Sequence, residues 1–200
     1  MSDCFIFSGQ GSHRPGMGLK LYQNSKIAKD KIHLSNQILG YDISDIMFDD
    51  NEAILRQTNY AQVAIYIYSC IIFDIIKNTN LSPTAVAGHS LGEFSALYAN
   101  STYTFETGLK IVDIRAKAMH RCERNNEGKM SAVIGMSKDK IIDICKGTDT
   151  QIANINSDQQ VVISGAAESI QSISEKLKTN GAKRIICLLY TSDAADDVRG

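Results

Sequence analysis

The segment from Ala85 to Leu97, AVAGHSLGEFSAL, constrains this chain more than any other. After the break at Pro83, Thr84 to Ala87 reads as a short strand, and a helix follows from near Glu93. Between them stands Gly88-His89-Ser90-Leu91-Gly92, a GxSxG pentapeptide in the strand-turn-helix setting that it requires. The spacing has a steric reason. A nucleophile on a sharp, strained turn projects its side chain only if the residues two places before and after it have none, so that strand and helix can pack closely. Ser90 would then stand at a helix amino terminus, where developing negative charge is favoured. The backbone N–H of Leu91, the residue after it, is the natural first oxyanion donor. A chance GxSxG in a loop would lack the flanking strand and helix. The segment therefore predicts an α/β core with Ser90 as candidate nucleophile.

A second strand-loop-helix unit opens the chain. Cys4 to Phe7 reads as a buried strand, GQGSHRPGMG as a glycine-rich turn, and a helical stretch begins near Leu19. Glycines 9, 11, 16 and 18 fit neither GxGxxG nor GxxxxGK[ST], because Arg14 and Gly18 occupy the deciding positions, so a nucleotide loop is not indicated. Ala61 to Lys77 is apolar nearly all round, as suits a helix buried on most of its surface. Glu106 to Arg121 carries an apolar stripe through Leu109, Val112, Ala116 and Met119. Arg115 falls on that stripe. A guanidinium there snorkels to solvent, pairs with a carboxylate, or clamps a substrate carboxylate with its planar fork. Gln10, in the first loop, either supplies a polar donor near the elbow or is simply solvated, as loop glutamines usually are.

From Glu127 the texture changes to strand MSAVIGM, helix SKDKIIDICKG from Ser137 to Gly147, strands QIANINS and QQVVISG, helix AAESIQSISEKLKTNG stopped at Gly181, and strand AKRIIC. The order β-α-β-β-α-β is that of the split βαβ, ferredoxin-like unit. The expected domains are residues 1–126, the core with its elbow, and 127–186, the small subdomain.

A serine nucleophile needs a base, and in this kind of sheet the histidine comes later in the chain than the elbow. The histidines are His13, His33, His89 and His120, and only His120 follows Ser90. It stands beside Arg121 at the end of a helix, where a solvated cation is the plain reading. His89 lies within the elbow and cannot easily turn back onto its neighbour's hydroxyl. Either the chemistry is unusual or the chain is incomplete.

Charge and cysteines narrow the class. Lys plus Arg number 21 against 22 Asp plus Glu, a net charge of −1 that offers no basic field for nucleic acid or anionic lipid. The longest apolar run, Val63 to Phe73, is well short of the roughly 18 to 20 residues of a bilayer crossing, and the amino terminus has no signal-peptide pattern. The expectation is a cytoplasmic protein with no membrane span. Five scattered cysteines without a CxxC pair signal neither a disulfide framework nor zinc, so buried reduced thiols are expected.

Taken in order, GQGS after the first strand, GHSLGEFSAL at the elbow, DIRAKAM on the next helix, GKMSAVIGM and NINSDQQVVISG resemble the malonyl-CoA:acyl carrier protein transacylase family, from Cys4 to about Ile186. The resemblance implies an α/β-hydrolase-like core with an inserted ferredoxin-like subdomain. The activity it implies is malonyl transfer from coenzyme A to the phosphopantetheine thiol of acyl carrier protein, through a malonyl ester on the elbow serine, in fatty acid synthesis. Carried over, Ser90 is the nucleophile, Gln10 and the Leu91 amide form the oxyanion hole, and Arg115 holds the malonyl carboxylate. Gln62 in YAQVA and Asn156 in NINS become cleft-lining residues. The thioesters of coenzyme A and of the carrier protein are substrates, no bound cofactor or metal is expected, and the chain acts as a monomer.

Three departures stand out. Ser8 replaces a loop proline and His13 a glutamine of the family's FPGQGSQ, with little effect expected on the acyl-enzyme step. The family's catalytic histidine follows the small subdomain's last strand in a serine-rich segment, and nothing like it is present. Instead the chain ends CLLYTSDAADDVRG, and Cys187 to Asp197 resembles the in-frame translation of a transposase-type sequencing adapter, so 187–200 reads as a non-native tail on an inactive fragment. Two rivals share part of the pattern. A serine esterase needs the elbow but not Arg115, and a noncatalytic relative needs neither Ser90 nor Arg115.

Overall fold

The computed structural model describes residues 3–50, 52–79, 81–124 and 128–188. The chain is α/β and divides into two compact units, Met1–His120 and Arg121–Gly200.

In the first unit, strand β1 (Cys4–Phe7) pairs in parallel with β2 (Ala85–Gly88), with Phe7 opposite Gly88. Helices occupy the sequence between them: α1 (Leu19–Asn24), α2 (Lys26–Leu39), α3 (Ile43–Phe48), α4 (Glu52–Leu55) and α5 (Thr58–Lys77). The helical stretch expected from Leu19 is broken at Ser25, whose extended backbone ends α1 and whose hydroxyl accepts from Ala28 N to cap α2. Two helices follow β2: α6 (Gly92–Ala99) and α7 (Phe105–Arg124).

The core forms around α5, whose Val63, Ala64, Ile65, Tyr66, Ile67, Cys70 and Ile71 are buried together with Ile32, Ile43, Met47, Leu91, Leu109, Val112 and Ala116. Burying these side chains is worth roughly 1.5–3 kcal/mol each before chain entropy opposes it. The stripe expected on α7 is thus the face that packs. Helix α5 is longer than the apolar run seen in the sequence. At 20 residues it is long and apolar enough to cross a membrane by length and composition alone, which corrects the expectation that no segment reaches that size. Over its most apolar 18 residues the helix is 56% buried inside the unit.

The second unit follows the expected order: β3 (Lys129–Ile134), α8 (Lys138–Cys145), β4 (Gln151–Ser157), β5 (Gln160–Gly165), α9 (Ala167–Thr179) and β6 (Arg184–Cys187). Its sheet is antiparallel in the order β4-β5-β3-β6, with β3 central. Val133, Val161 and Ile163 from one sheet face pack with Ile141, Cys145, Ile170, Ile173 and Leu177 from the two helices. Cys187 is paired in β6 opposite Ser131, and the rest of the sequence after Leu188 lies outside the described residues.

Candidate active site

The elbow has the form that its glycines permit. Ser90 has φ 53, the left-handed region that a residue with a Cβ occupies only where its surroundings enforce it. The turn is closed by Gly92 N donating to His89 O at 2.9 Å and tied to β1 by His89 N donating to Phe7 O at 3.1 Å. A Cβ on Gly88 would lie 2.1 Å from Gly92 C, and one on Gly92 would lie 2.1 Å from Phe7 O. Both glycines are therefore required by backbone contact. Leu91, wholly buried, precedes the first residue of α6, so the serine stands at that helix's amino terminus.

Four of the residues singled out in the sequence meet here. Arg115 Nη2 donates to Ser90 Oγ at 3.0 Å, and Arg115 Nη1 donates to Gln62 Oε1. Gln62 Nε2 faces Gln10 Oε1 at 3.2 Å and Met119 Sδ at 3.3 Å, and Gln10 Nε2 donates to Thr58 Oγ1 at 3.0 Å. One hydrogen-bonded chain therefore links α7, the elbow, α5 and the first loop. The guanidinium also lies over the Phe94 ring, 5.6 Å from its centroid. Of the readings open for Arg115, snorkelling to solvent is set aside. It is half-buried and its hydrogen bonds go to two neutral side chains. Burial pushes its pKa below the usual value while Glu93 pulls the other way, and an arginine keeps its charge through such a shift. A guanidinium whose hydrogen bonds go to neutral partners can still pair with an anion.

Thr58 was missed by the sequence reading, which began the helix at Ala61. Its signal is its place four residues before Gln62, on the same helix face. Asn156 belongs to the second unit, on the exposed part of β4, where its side-chain amide faces Gln160 Oε1 at 3.4 Å. A base is not found in these pairings. The Ser90 partner is a donor that stays protonated, His13 faces Glu52 at 4.0 Å, His33 bonds Tyr22, His89 is in the elbow and His120 is on α7.

Residues 4–195 match a family model described as the acyl transferase domain. The chain belongs to that family. Malonyl CoA-acyl carrier protein transacylase from Staphylococcus aureus (strain MRSA252) is 38% identical over 188 residues, covering 92% of this chain and 60% of that protein. The protein of the same name from Bacillus subtilis (strain 168) is 35% identical over 189 residues, again 92% and 60%. This chain thus spans 60% of the length of these acyltransferase relatives. Among solved structures, the malonyl CoA-acyl carrier protein transacylase of Coxiella burnetii superposes with a TM-score of 0.87 at 33% identity, covering 94% of this chain and 61% of that one. A complex of a type II PKS acyl-carrier protein with its malonyl-transacylase gives 0.85 at 29% identity, covering 94% and 62%. The family match runs to residue 195 and so includes most of the segment that reads as a non-native tail.

Proposed function

We propose that this chain carries the acylation half-site of an enzyme that moves a malonyl group from malonyl-CoA to the phosphopantetheine thiol of acyl carrier protein. The observation that carries the reading is the left-handed Ser90 with the Arg115 guanidinium 3.0 Å from its hydroxyl. In the proposed step Ser90 Oγ attacks the thioester carbonyl of malonyl-CoA. A new C–O bond forms, the C–S bond breaks, and the serine proton passes through a base to the departing thiolate. The Leu91 amide and Gln10 N–H receive the oxyanion. The carrier-protein thiol then takes the malonyl group by the reverse chemistry. Arg115 binds the malonyl carboxylate, and a half-buried guanidinium left without an anion disfavours acetyl groups. Gln62 lines the cleft in this reading.

The same reading takes the first unit as an α/β-hydrolase-like core. The strand order of the second unit, with its two helices on one face, supports a ferredoxin-like subdomain. The base is the histidine that the resemblance places after that subdomain, in length that the relatives have beyond this match. Coenzyme A and carrier-protein thioesters are substrates rather than resident cofactors, and a cytoplasmic monomer is the expected form. Residues 187–200 are proposed to be non-native, a reading that resequencing of the source DNA through the codons for Arg184 to Gly200 tests. A frame continuing into a serine-rich, histidine-bearing segment supports it, and a genuine stop after Gly200 refutes it.

Substrate selection tests the role of Arg115. The Arg115→Ala variant should lose at least about tenfold of its preference for malonyl-CoA over acetyl-CoA, measured as competitive binding by calorimetry. An esterase would keep its selectivity in this variant, and an unchanged preference would sink the proposal.

A further inference from the structure

The polar chain through the site has a direction, and its direction requires a particular residue at its far end. Arg115 can only donate, so the Gln62 atom that it meets must be the carbonyl oxygen. That fixes the orientation of the Gln62 amide and turns its Nε2 toward Gln10. Gln10 must then present Oε1 to Gln62, which leaves its own Nε2 aimed at Thr58. Reversing either amide would set donor against donor. The residue at position 58 must therefore accept. A hydroxyl does so, whereas an apolar residue of the same shape would leave a donor facing it unpaired.

The surroundings sharpen the requirement. Gln62 is fully buried, Thr58 is 5% exposed, and both stand on the first turns of a largely apolar core helix. Gln10, by contrast, is an exposed residue on a loop between Gly9 and Gly11, the latter at φ 100. A glutamine on such a loop has little else to hold it. Here both ends of its amide are gripped from one face of α5, by residues four apart.

We infer that Thr58 is a positioning residue of the acyl site, acting through Gln10 to fix the first loop against the elbow. It touches no reacting atom. Its contribution is to complete the donor-acceptor sequence that begins at the anion-binding arginine, so that Gln10 has one orientation instead of several. Its catalytic consequence rests on the acyl-transfer reading, but its structural content does not.

Two variants of the same chain test it, Thr58→Val, which keeps the shape and removes the acceptor, and Thr58→Ser, which keeps the acceptor. Thermal melting establishes that both are folded. The first readout is the side-chain amide of Gln10 by NMR. In Thr58→Val its proton signals should move and exchange with water about tenfold faster, while Thr58→Ser should resemble the parent. The second readout is the rate at which malonyl-CoA, with imidazole supplied as base, labels Ser90. It should fall about tenfold in Thr58→Val and recover in Thr58→Ser, with malonyl-CoA affinity unchanged because Arg115 is retained. An unperturbed Gln10 amide in Thr58→Val, or labelling at the parent's rate, would overturn the inference. If the parent itself takes no label, the acyl-transfer reading fails, and the NMR comparison alone decides the role of Thr58.

Discussion

Replacing Gly92 by alanine isolates the steric argument on which the elbow rests. The added Cβ would lie 2.1 Å from Phe7 O, 2.7 Å from Phe7 C and 2.8 Å from Ser8 O. All three are main-chain atoms of β1 or of the loop leaving it, so no side chain can rotate away. Restoring an ordinary contact requires α6 and β1 to part by more than about 1 Å. Overpacking of this kind costs roughly 1–3 kcal/mol, with the upper end expected where backbone meets backbone. Alanine recovers at most about 1 kcal/mol as the better helix former. The net loss is about 2 kcal/mol, which for a unit of this size lowers the melting temperature by about 8 °C. Gly40→Ala is the comparison. Gly40 caps α2 at φ 76 with no atom within 4 Å of the added Cβ, so it incurs only the left-handed penalty of about 1 kcal/mol. Circular dichroism melts of both variants against the parent decide the matter. If Gly92→Ala melts within about 1 °C of the parent, or above Gly40→Ala, the close approach of β1 and α6 is not what the glycine is there for.

Two further predictions concern the core of the first unit. Lys31 Nζ lies 2.8 Å from Asp74 Oδ2 and 4.0 Å from the Phe105 ring centroid, while Tyr98 OH donates to Asp74 Oδ1 at 2.7 Å. Asp74→Asn strands a largely buried ammonium and should cost about 2 kcal/mol in urea unfolding, with Lys31→Met in the same chain recovering part of the loss. The second concerns alkaline pH. Burial, first among the causes in each case, pushes the Tyr103 phenol up to about 12 and those of Tyr41, Tyr66 and Tyr98 higher still. A folded pKa raised above the unfolded value contributes stability that is complete below about pH 10 and is lost as pH climbs toward the folded value. Stability should therefore fall above about pH 10, and phenolate absorbance from these four should appear together with unfolding rather than ahead of it. Their ionisation in a still-folded chain would contradict that.

The elbow was legible because its chemistry is local. Gly88, Ser90 and Gly92 carry their steric requirement in five residues, and the strand and helix on either side complete it. The second unit was legible for a similar reason, since its inner strands are short apolar runs and its helices are bounded by Ser137, Gly147 and Gly181. Arg115 was legible only as an oddity on an apolar stripe, because its partners Gln62 and Ser90 are 53 and 25 residues away in sequence. Thr58 had only a weak signal, its place four residues before Gln62. A threonine ahead of a hydrophobic run reads as a helix start, and only the fold reveals that its hydroxyl faces a glutamine from the first loop. The short helices α3 and α4 were likewise unread: Asp42 caps the start of α3 by accepting from Ser44 N, but neither helix is long enough for a periodic pattern of its own.

The most direct test of the central claim is the intact mass of the protein after incubation with malonyl-CoA and increasing imidazole. The account predicts a malonyl adduct that forms slowly in plain buffer, by about 10²–10⁴ for want of the base, and faster as imidazole rises. Peptide mapping should place it on Ser90, Ser90→Ala should remain unlabelled, and acetyl-CoA should label poorly. No adduct at any imidazole concentration, or equal labelling by acetyl-CoA, would contradict a serine nucleophile paired with a carboxylate-selecting arginine.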